Sequence, residues 1–354
     1  MANKKIIIDL EDLKEEPRSQ APRVFPGLSA DGLQSMNHDL SGGKGKKNVV
    51  SLVTEGSTLL RGVGGLIGGA FAWIVSEVLF NQDSPSSSTI EAVMMTMFWF
   101  GLVGSFISGA IRASEDIYVG RNESAVPTFF YGAFAGLLSG LASGFIAQIL
   151  YSILGGGDAG NIIVQILART SAFAVAGTLL GFGISISSGL NTKIKAATIG
   201  GAIGGITGGL LFDTLGSFIA IIIGGGGEVS RLIGLLATGF SIGVGMAATE
   251  NAYKNVWLQV IGGPFKGKQF ILFKQSNIIG RHPKSDIVLA KDPLVADQHC
   301  FLIATPNGYR LQANVSSGAP TYVNQRIVTD HNLRPEDVIQ VGNSFFQFKA
   351  TGKK

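Results

Sequence analysis

The chain has 354 residues, of which 46% are hydrophobic and only 15% charged, so it does not read as one water-soluble domain. A net charge of +4 gives nucleic-acid binding no more than diffuse support, and a single cysteine, Cys300, excludes an intrachain disulfide. The length allows two or three domains. Residues 1–57 are polar, with eight Lys/Arg and eight Asp/Glu, and predict a disordered cytoplasmic tail. The apolar part of Lys5-Ile6-Ile7-Ile8 is too short for a signal peptide, and acidic residues follow it at once. Gly42 to Lys47 is not a phosphate loop, because no Ser/Thr follows its lysines and no strand pattern precedes it. Its lysines suit the headgroup region ahead of a first membrane helix.

Residues 58–250 form a Gly-rich transmembrane domain in this reading, and 37 of the chain's 50 glycines fall from Gly56 to Gly245. It breaks into six apolar runs, near 59–80, 92–111, 128–153, 162–188, 195–223 and 230–248. Each is close to the ~20 residues that cross a bilayer and is apolar all round, where a surface helix shows a polar stripe. The motif Gly64-Gly65-Leu66-Ile67-Gly68-Gly69 returns at Ala135 to Gly140 and at Gly200 to Gly205. Arg169 to Gly183 likewise matches Arg231 to Gly245. The expectation is an α-helical membrane bundle of six transmembrane helices built as three tandem hairpin repeats, about 59–121, 128–191 and 195–250. Glycines four apart, such as Gly132, Gly136, Gly140 and Gly144, form glycine-zipper ridges that let helix backbones approach closely. A pore on the pseudo-axis and plain close packing are both open at this point.

The connections near residues 81–91 and 155–161 carry no Lys or Arg, whereas Arg112, Arg121, Lys193 and Lys195 fall in the other connections. The positive-inside rule then places both termini in the cytoplasm of a multi-pass integral membrane protein. Glu77, Gln148 and Asp213 occupy one position of the repeat, and Arg169 and Arg231 occupy another. Charges within such helices are costly. They read either as a functional polar ring or as an interfacial belt with Asp213–Arg231 pairing.

From Trp257 the pattern changes to short alternating runs punctuated by Gly, Pro and Asn, which predicts an all-β sandwich. Residues 251–354 are basic, with 13 Lys/Arg against six Asp/Glu. Asn277-Ile278-Ile279-Gly280-Arg281, then Ser285-Asp286-Ile287-Val288-Leu289, then His299, then Thr321-Tyr322-Val323-Asn324 resembles the forkhead-associated (FHA) family over residues 256–350. The resemblance implies an eleven-stranded sandwich that binds phosphothreonine peptides through loops at one end. It makes Gly280, Asp286, His299, Thr321 and Asn324 structural and Arg281 a phosphate ligand, with Lys284, Ser285, Ser316 and Ser317 as further candidates. The family's Ser is Ala296 here, the basic residue after it is Asp297, and the family's Asn-Gly is Ala319-Pro320.

No catalytic constellation, metal-ligand spacing or cofactor motif emerges from the four His and one Cys. The expected partners are a protein, threonine-phosphorylated as the resemblance implies, the lipid bilayer, and a further copy of the chain as a homo-oligomer; nucleic acid is not among them. The function expected is a membrane-anchored recruitment or scaffold protein, not an enzyme. The alternatives are a channel or transporter regulated by its FHA-like domain, and a phosphate-independent docking module.

Overall fold

The computed structural model describes residues 56–80, 88–154, 161–188, 193–224 and 227–351, so residues 1–55 of the expected N-terminal tail fall outside the described residues, while Gly56 and Ser57, placed in that tail by the sequence, belong to the first helix. Six helices come first: α1 (Gly56–Leu79), α2 (Thr89–Val119), α3 (Asn122–Ile153), α4 (Ile162–Ser187), α5 (Ile194–Ile223) and α6 (Gly227–Ala252). All six are long and apolar enough to cross a membrane. Ser88 caps α2 by accepting from the Glu91 amide at 3.3 Å, and Asn161 caps α4 by accepting from the Val164 amide at 3.3 Å. Gly120, at φ 90°, closes α2 in the left-handed conformation, its N–H reaching the carbonyls of Asp116 and Ile117.

Two helix limits differ from the sequence expectation. The second apolar run ends at residue 111, yet α2 continues to Val119 through Arg112, Glu115 and Asp116, all buried. These charges are paired inside the protein, which removes the cost that made them look like loop residues. Helix α3 begins at Asn122, ahead of the expected 128, and includes Pro127. Arg112 is therefore not a loop cation, and Lys193, 9% exposed, sits in the turn that opens α5.

The helices form a closed ring in which each packs on its chain neighbours and α6 closes on α1. Helices α2, α4 and α6 supply the large side chains of the centre: Ile107, Ile111, Leu180, Ile184, Leu235, Ile242 and Met246 are buried in one cluster. Helices α1, α3 and α5 turn small residues inward and large ones outward. Phe71, Phe130, Phe134, Leu138 and Ile203 are all more than half exposed. An apolar centre inside an apolar outer face leaves no side suited to water and suits a lipid surround.

Glycine sets the helix separations. A Cβ on Gly65 would stand 2.0 Å from the Gly239 carbonyl oxygen, and one on Gly239 would stand 2.1 Å from that of Gly65. Gly177 and Gly201 face each other in the same way across α4 and α5, at 2.1 and 2.2 Å. On α5, Gly200 and Gly204 meet α6, while the neighbouring Gly201 and Gly205 meet α4. Two adjacent glycine rows thus serve two different neighbours. In lipid, where apolar burial gives no net drive, such backbone contact is what holds helices together.

Three residues after α6 the chain enters a sandwich of eleven strands. They are β1 (Val256–Gly262), β2 (Gln269–Ile271), β3 (Ser276–Gly280), β4 (Ile287–Val288), β5 (Cys300–Thr305), β6 (Gly308–Ala313), β7 (Thr321–Val323), β8 (Arg326–Ile327), β9 (Asp330–Leu333), β10 (Val338–Val341) and β11 (Ser344–Ala350). One sheet runs β2-β1-β11-β10-β7-β8 and the other β4-β3-β5-β6-β9. Leu258, Ile279, Leu302, Leu311, Ile339 and Phe346 fill the space between them, each fully buried. This is the architecture that the FHA resemblance implied.

The sandwich is tied to the bundle. Lys268 Nζ donates to the Tyr118 carbonyl at 2.6 Å, and the Gln269 amide donates to Tyr118 Oη at 3.1 Å. Val119 packs against the sandwich core, and the Lys193 ammonium lies 4.7 Å from the Phe273 ring centroid. The turn between α2 and α3 therefore meets the edge strand of one sheet, β2, and comes close to β4, the edge strand of the other.

Candidate functional site

Three loops meet at one end of the sandwich: β3–β4, β4–β5 and β6–β7. Backbone bonds join them, from the Arg281 amide to the Ala296 carbonyl (2.9 Å), from the His282 amide to the Asp297 carbonyl (3.2 Å) and from the Asn314 amide to the His299 carbonyl (2.9 Å). Asn314 Nδ2 adds a bond to the Gln298 carbonyl at 2.7 Å. Gly280 sits where this clamp is tightest, since a Cβ there would lie 2.0 Å from the Asp297 carbonyl oxygen.

Arg281 stands at the surface of this end, its side chain 49% exposed, with Nε 3.5 Å from Asp297 Oδ1. Lys284 and Ser316 are also exposed. Ser285 points inward: it is 1% exposed and its hydroxyl donates to the Asp297 carbonyl at 3.2 Å. Ser317 folds back on its own turn, donating to the Asn314 carbonyl at 2.7 Å and accepting from the Ala319 amide at 3.3 Å. Of the five candidates, the structure places Arg281, Lys284 and Ser316 on the exposed surface of these loops.

The residues expected to be structural have inward bonds. Asp286 Oδ2 accepts from the Ile278 amide at 2.8 Å and Oδ1 pairs with Lys274 at 2.7 Å. Asn324 and Gln325, at φ 49° and 68°, form the two-residue turn between β7 and β8. Asn324 then holds the start of β10 by accepting from the Val338 amide at 3.0 Å and donating to Asp337 at 2.8 Å. Thr321 is buried, and its hydroxyl has no hydrogen-bond partner. No sequence motif marked Asp292, which is fully buried and accepts from the Asn343 amide (2.8 Å) and the Ser344 hydroxyl (2.8 Å).

His299 is fully buried, with Nδ1 accepting from the Ala296 amide at 3.2 Å and Nε2 3.2 Å from the Pro320 carbonyl. Nδ1 therefore lacks a proton and Nε2 carries one, so the ring is neutral. Burial is the main cause that moves its pKa below the usual 6.5, against smaller opposing effects of Pro320 and Asp292. Because the folded pKa is depressed, the unfolded state takes up the proton first as pH falls. The domain should be most stable above pH ~6.5 and lose stability below it, by up to ~1.4 kcal/mol per pH unit from this group until the folded pKa is reached. Denaturation midpoints at pH 7.5 and 5.5 should differ in the parent and less so in His299→Gln. Beside it, burial pushes the Cys300 thiol up to about 12, which leaves it inert as a nucleophile.

Where the bundle meets the sandwich lies an ionic cluster that the sequence did not reveal. Arg61 Nη1 is 2.7 Å from Glu250 and Nη2 is 3.2 Å from Glu115. Arg112 also pairs with Glu115, and Lys193 Nζ is 3.7 Å from Glu250. Arg121 pairs with Asp116, which also accepts from Thr128 Oγ1 at 2.6 Å. The one available signal was Arg61, a charge inside an apolar run.

At the other end of the bundle, Gln148, Arg169 and Arg231 line one cavity of about 440 Å³ with Trp99, Phe173 and Phe212. Glu77 does not line it but holds Arg231 in a fork, at 2.7 and 3.0 Å. The side chain of Asp213, proposed as a partner for Arg231, lies outside the described residues. Arg169 rests 5.4 Å from the Phe212 ring centroid.

Residues 259–352 match the family model described as the inner membrane component of T3SS, cytoplasmic domain, a stretch that takes in β2 to β11 and most of β1. Among solved structures, an FHA domain from a study of phosphothreonine-dependent FHA domain interactions is 28% identical, with a TM-score of 0.26, over 28% of this chain and 99% of that one. The FhaA FHA domain, solved with an intracellular domain, is 29% identical with a TM-score of 0.24, over 27% and 99% of the two chains. The FHA domain of a Chlamydia trachomatis protein is 24% identical with a TM-score of 0.26, over 28% and 99%. No curated protein matches the chain. The C-terminal domain is FHA-like, and six long apolar helices precede it.

Proposed function

We propose that the protein is a membrane-anchored docking protein whose FHA-like domain recruits a protein partner on the loop end around Arg281. The bundle is the anchor, three hairpins arranged around an axis, with both termini in the cytoplasm. The observation that carries this reading is that one edge of the sandwich is fixed to the bundle through Tyr118, while Arg281, Lys284 and Ser316 stay exposed. Conduction is the weaker reading, because buried Ile, Leu and Met side chains fill the ring centre.

Threonine phosphate is the ligand class that Arg281 suits, since its planar fork carries a permanent charge. Asp297 competes for that fork, so a phosphate has to displace it. The family Ser is Ala296 here, and each missing charge-assisted bond removes ~1.5–3 kcal/mol. Affinity should therefore be near 100 µM, about −5.5 kcal/mol. The full-length protein in detergent should bind threonine-phosphorylated peptides at that level. Arg281→Ala should abolish binding without lowering the melting temperature, and Ala296→Ser with Asp297→Arg should strengthen it tenfold or more. The Arg281–Asp297 contact also favours a second reading, docking that ignores phosphate. Equal affinity for phosphorylated and unphosphorylated partner, measured after pull-down with and without phosphatase, would select it.

A further inference from the structure

We propose that the cavity between the bundle and the sandwich binds one tetrahedral oxyanion of the phosphate class, either free or carried on a lipid headgroup. The cavity has a volume of about 170 Å³, well above the ~10–15 Å³ that one water requires. Its charges do not balance. Among the described residues, Arg61, Arg112 and Lys193 face only two carboxylates, Glu115 and Glu250. The other pairs at its wall, Arg121–Asp116 and Lys274–Asp286, are neutral as pairs. One positive charge is left over in a buried place, and an uncompensated buried charge is strongly destabilising.

Arg112 carries this surplus in an identifiable form. It is 9% exposed and, among the described residues, reaches a carboxylate through Nη1 alone and has a buried Nε with no acceptor. The buried Nε of Arg121 also lacks one. Guanidinium donors fixed in a fork suit an oxyanion with several acceptor oxygens, whereas a metal cation would add to the surplus. The sandwich contributes Gln269, Lys274 and Asn277 to the wall, so the site is complete only when the two parts are docked. A bound anion would therefore strengthen the docking itself.

The test uses delipidated full-length protein in dodecyl maltoside, which carries no phosphate, with equilibrium dialysis of radiolabelled inorganic phosphate at fixed chloride and ionic strength. Saturable binding near one phosphate per chain is expected, along with a raised melting temperature. Arg281→Ala, which removes the loop-end ligand and is not part of the cavity wall, should leave binding in the cavity unchanged. Arg112→Gln should weaken it tenfold or more. Lys193→Gln, which removes a charge 3.7 Å from Glu250 and keeps a polar side chain there, should weaken it severalfold. Competition by short-chain phosphatidic acid would identify the headgroup as occupant, and its absence the free anion. No saturable binding, binding unchanged in both Arg112→Gln and Lys193→Gln, or binding lost in Arg281→Ala alone would overturn the proposal.

Discussion

Gly65→Leu should keep the helix ring from closing. Even the first carbon of the new side chain would stand 2.0 Å from the Gly239 carbonyl oxygen, and the obstacle is backbone. Neither helix can yield alone, because α1 is also packed on α2 and α6 on α5. Overpacking costs about 1–3 kcal/mol where side chains can adjust, and more where they cannot, so a loss above 3 kcal/mol is expected. Thermal unfolding of the detergent-solubilised protein, with size-exclusion chromatography to detect open forms, measures it. Gly56→Ala is the control, since its added carbon meets nothing closer than Tyr118 Cε2 at 3.9 Å. If the two substitutions lower the midpoint equally, close glycine contact is not what holds α1 to α6.

The second large effect is expected at Asp292. Its carboxylate joins the β4–β5 connection to the β10–β11 hairpin by accepting from the Asn343 amide and the Ser344 hydroxyl, both at 2.8 Å. It also accepts from the Leu294 amide and from Asn343 Nδ2, both at 3.3 Å. Asp292→Ala leaves the buried Ser344 hydroxyl without its acceptor, which costs ~1–3 kcal/mol, while the donors of the exposed Leu294 and Asn343 can turn to water. A loss of about 1–3 kcal/mol should follow, seen as faster hydrogen exchange at the amides of β10 and β11. Asp292→Asn, which keeps one acceptor oxygen, should recover part of the protection. Undiminished protection in the alanine variant would show that the hairpin stands without this bond set.

The sandwich was legible because its residues recur as an ordered series, from Gly280-Arg281 through Ser285-Asp286 and His299 to Asn324. The helices were legible because an all-apolar run of that length has few other homes. The limits of α2 were not, since Arg112 and Glu115 look like loop residues until the pairing of Glu115 with both Arg112 and Arg61 is known. Closure of α6 on α1 joins Glu250 to Arg61 across 189 residues, and no local pattern carries such a pairing. The inward turn of Ser285 was hidden because β4 is only two residues long and gives no alternation to read.

The sandwich follows α6 after only three residues, Tyr253 to Asn255, and its β2 edge is bonded to Tyr118 at the end of α2. A domain on a long flexible tether sweeps a hemisphere and meets its targets at random orientation. Here two attachments remove that freedom, so under the proposed function a captured partner would be displayed at one height and one azimuth above the lipid surface. The effective concentration of the partner is then high for surface neighbours that lie in the direction of the loop end and low for all others. Lengthening the three-residue link would leave every contact of the loop end in place, yet it would spread that concentration over many directions.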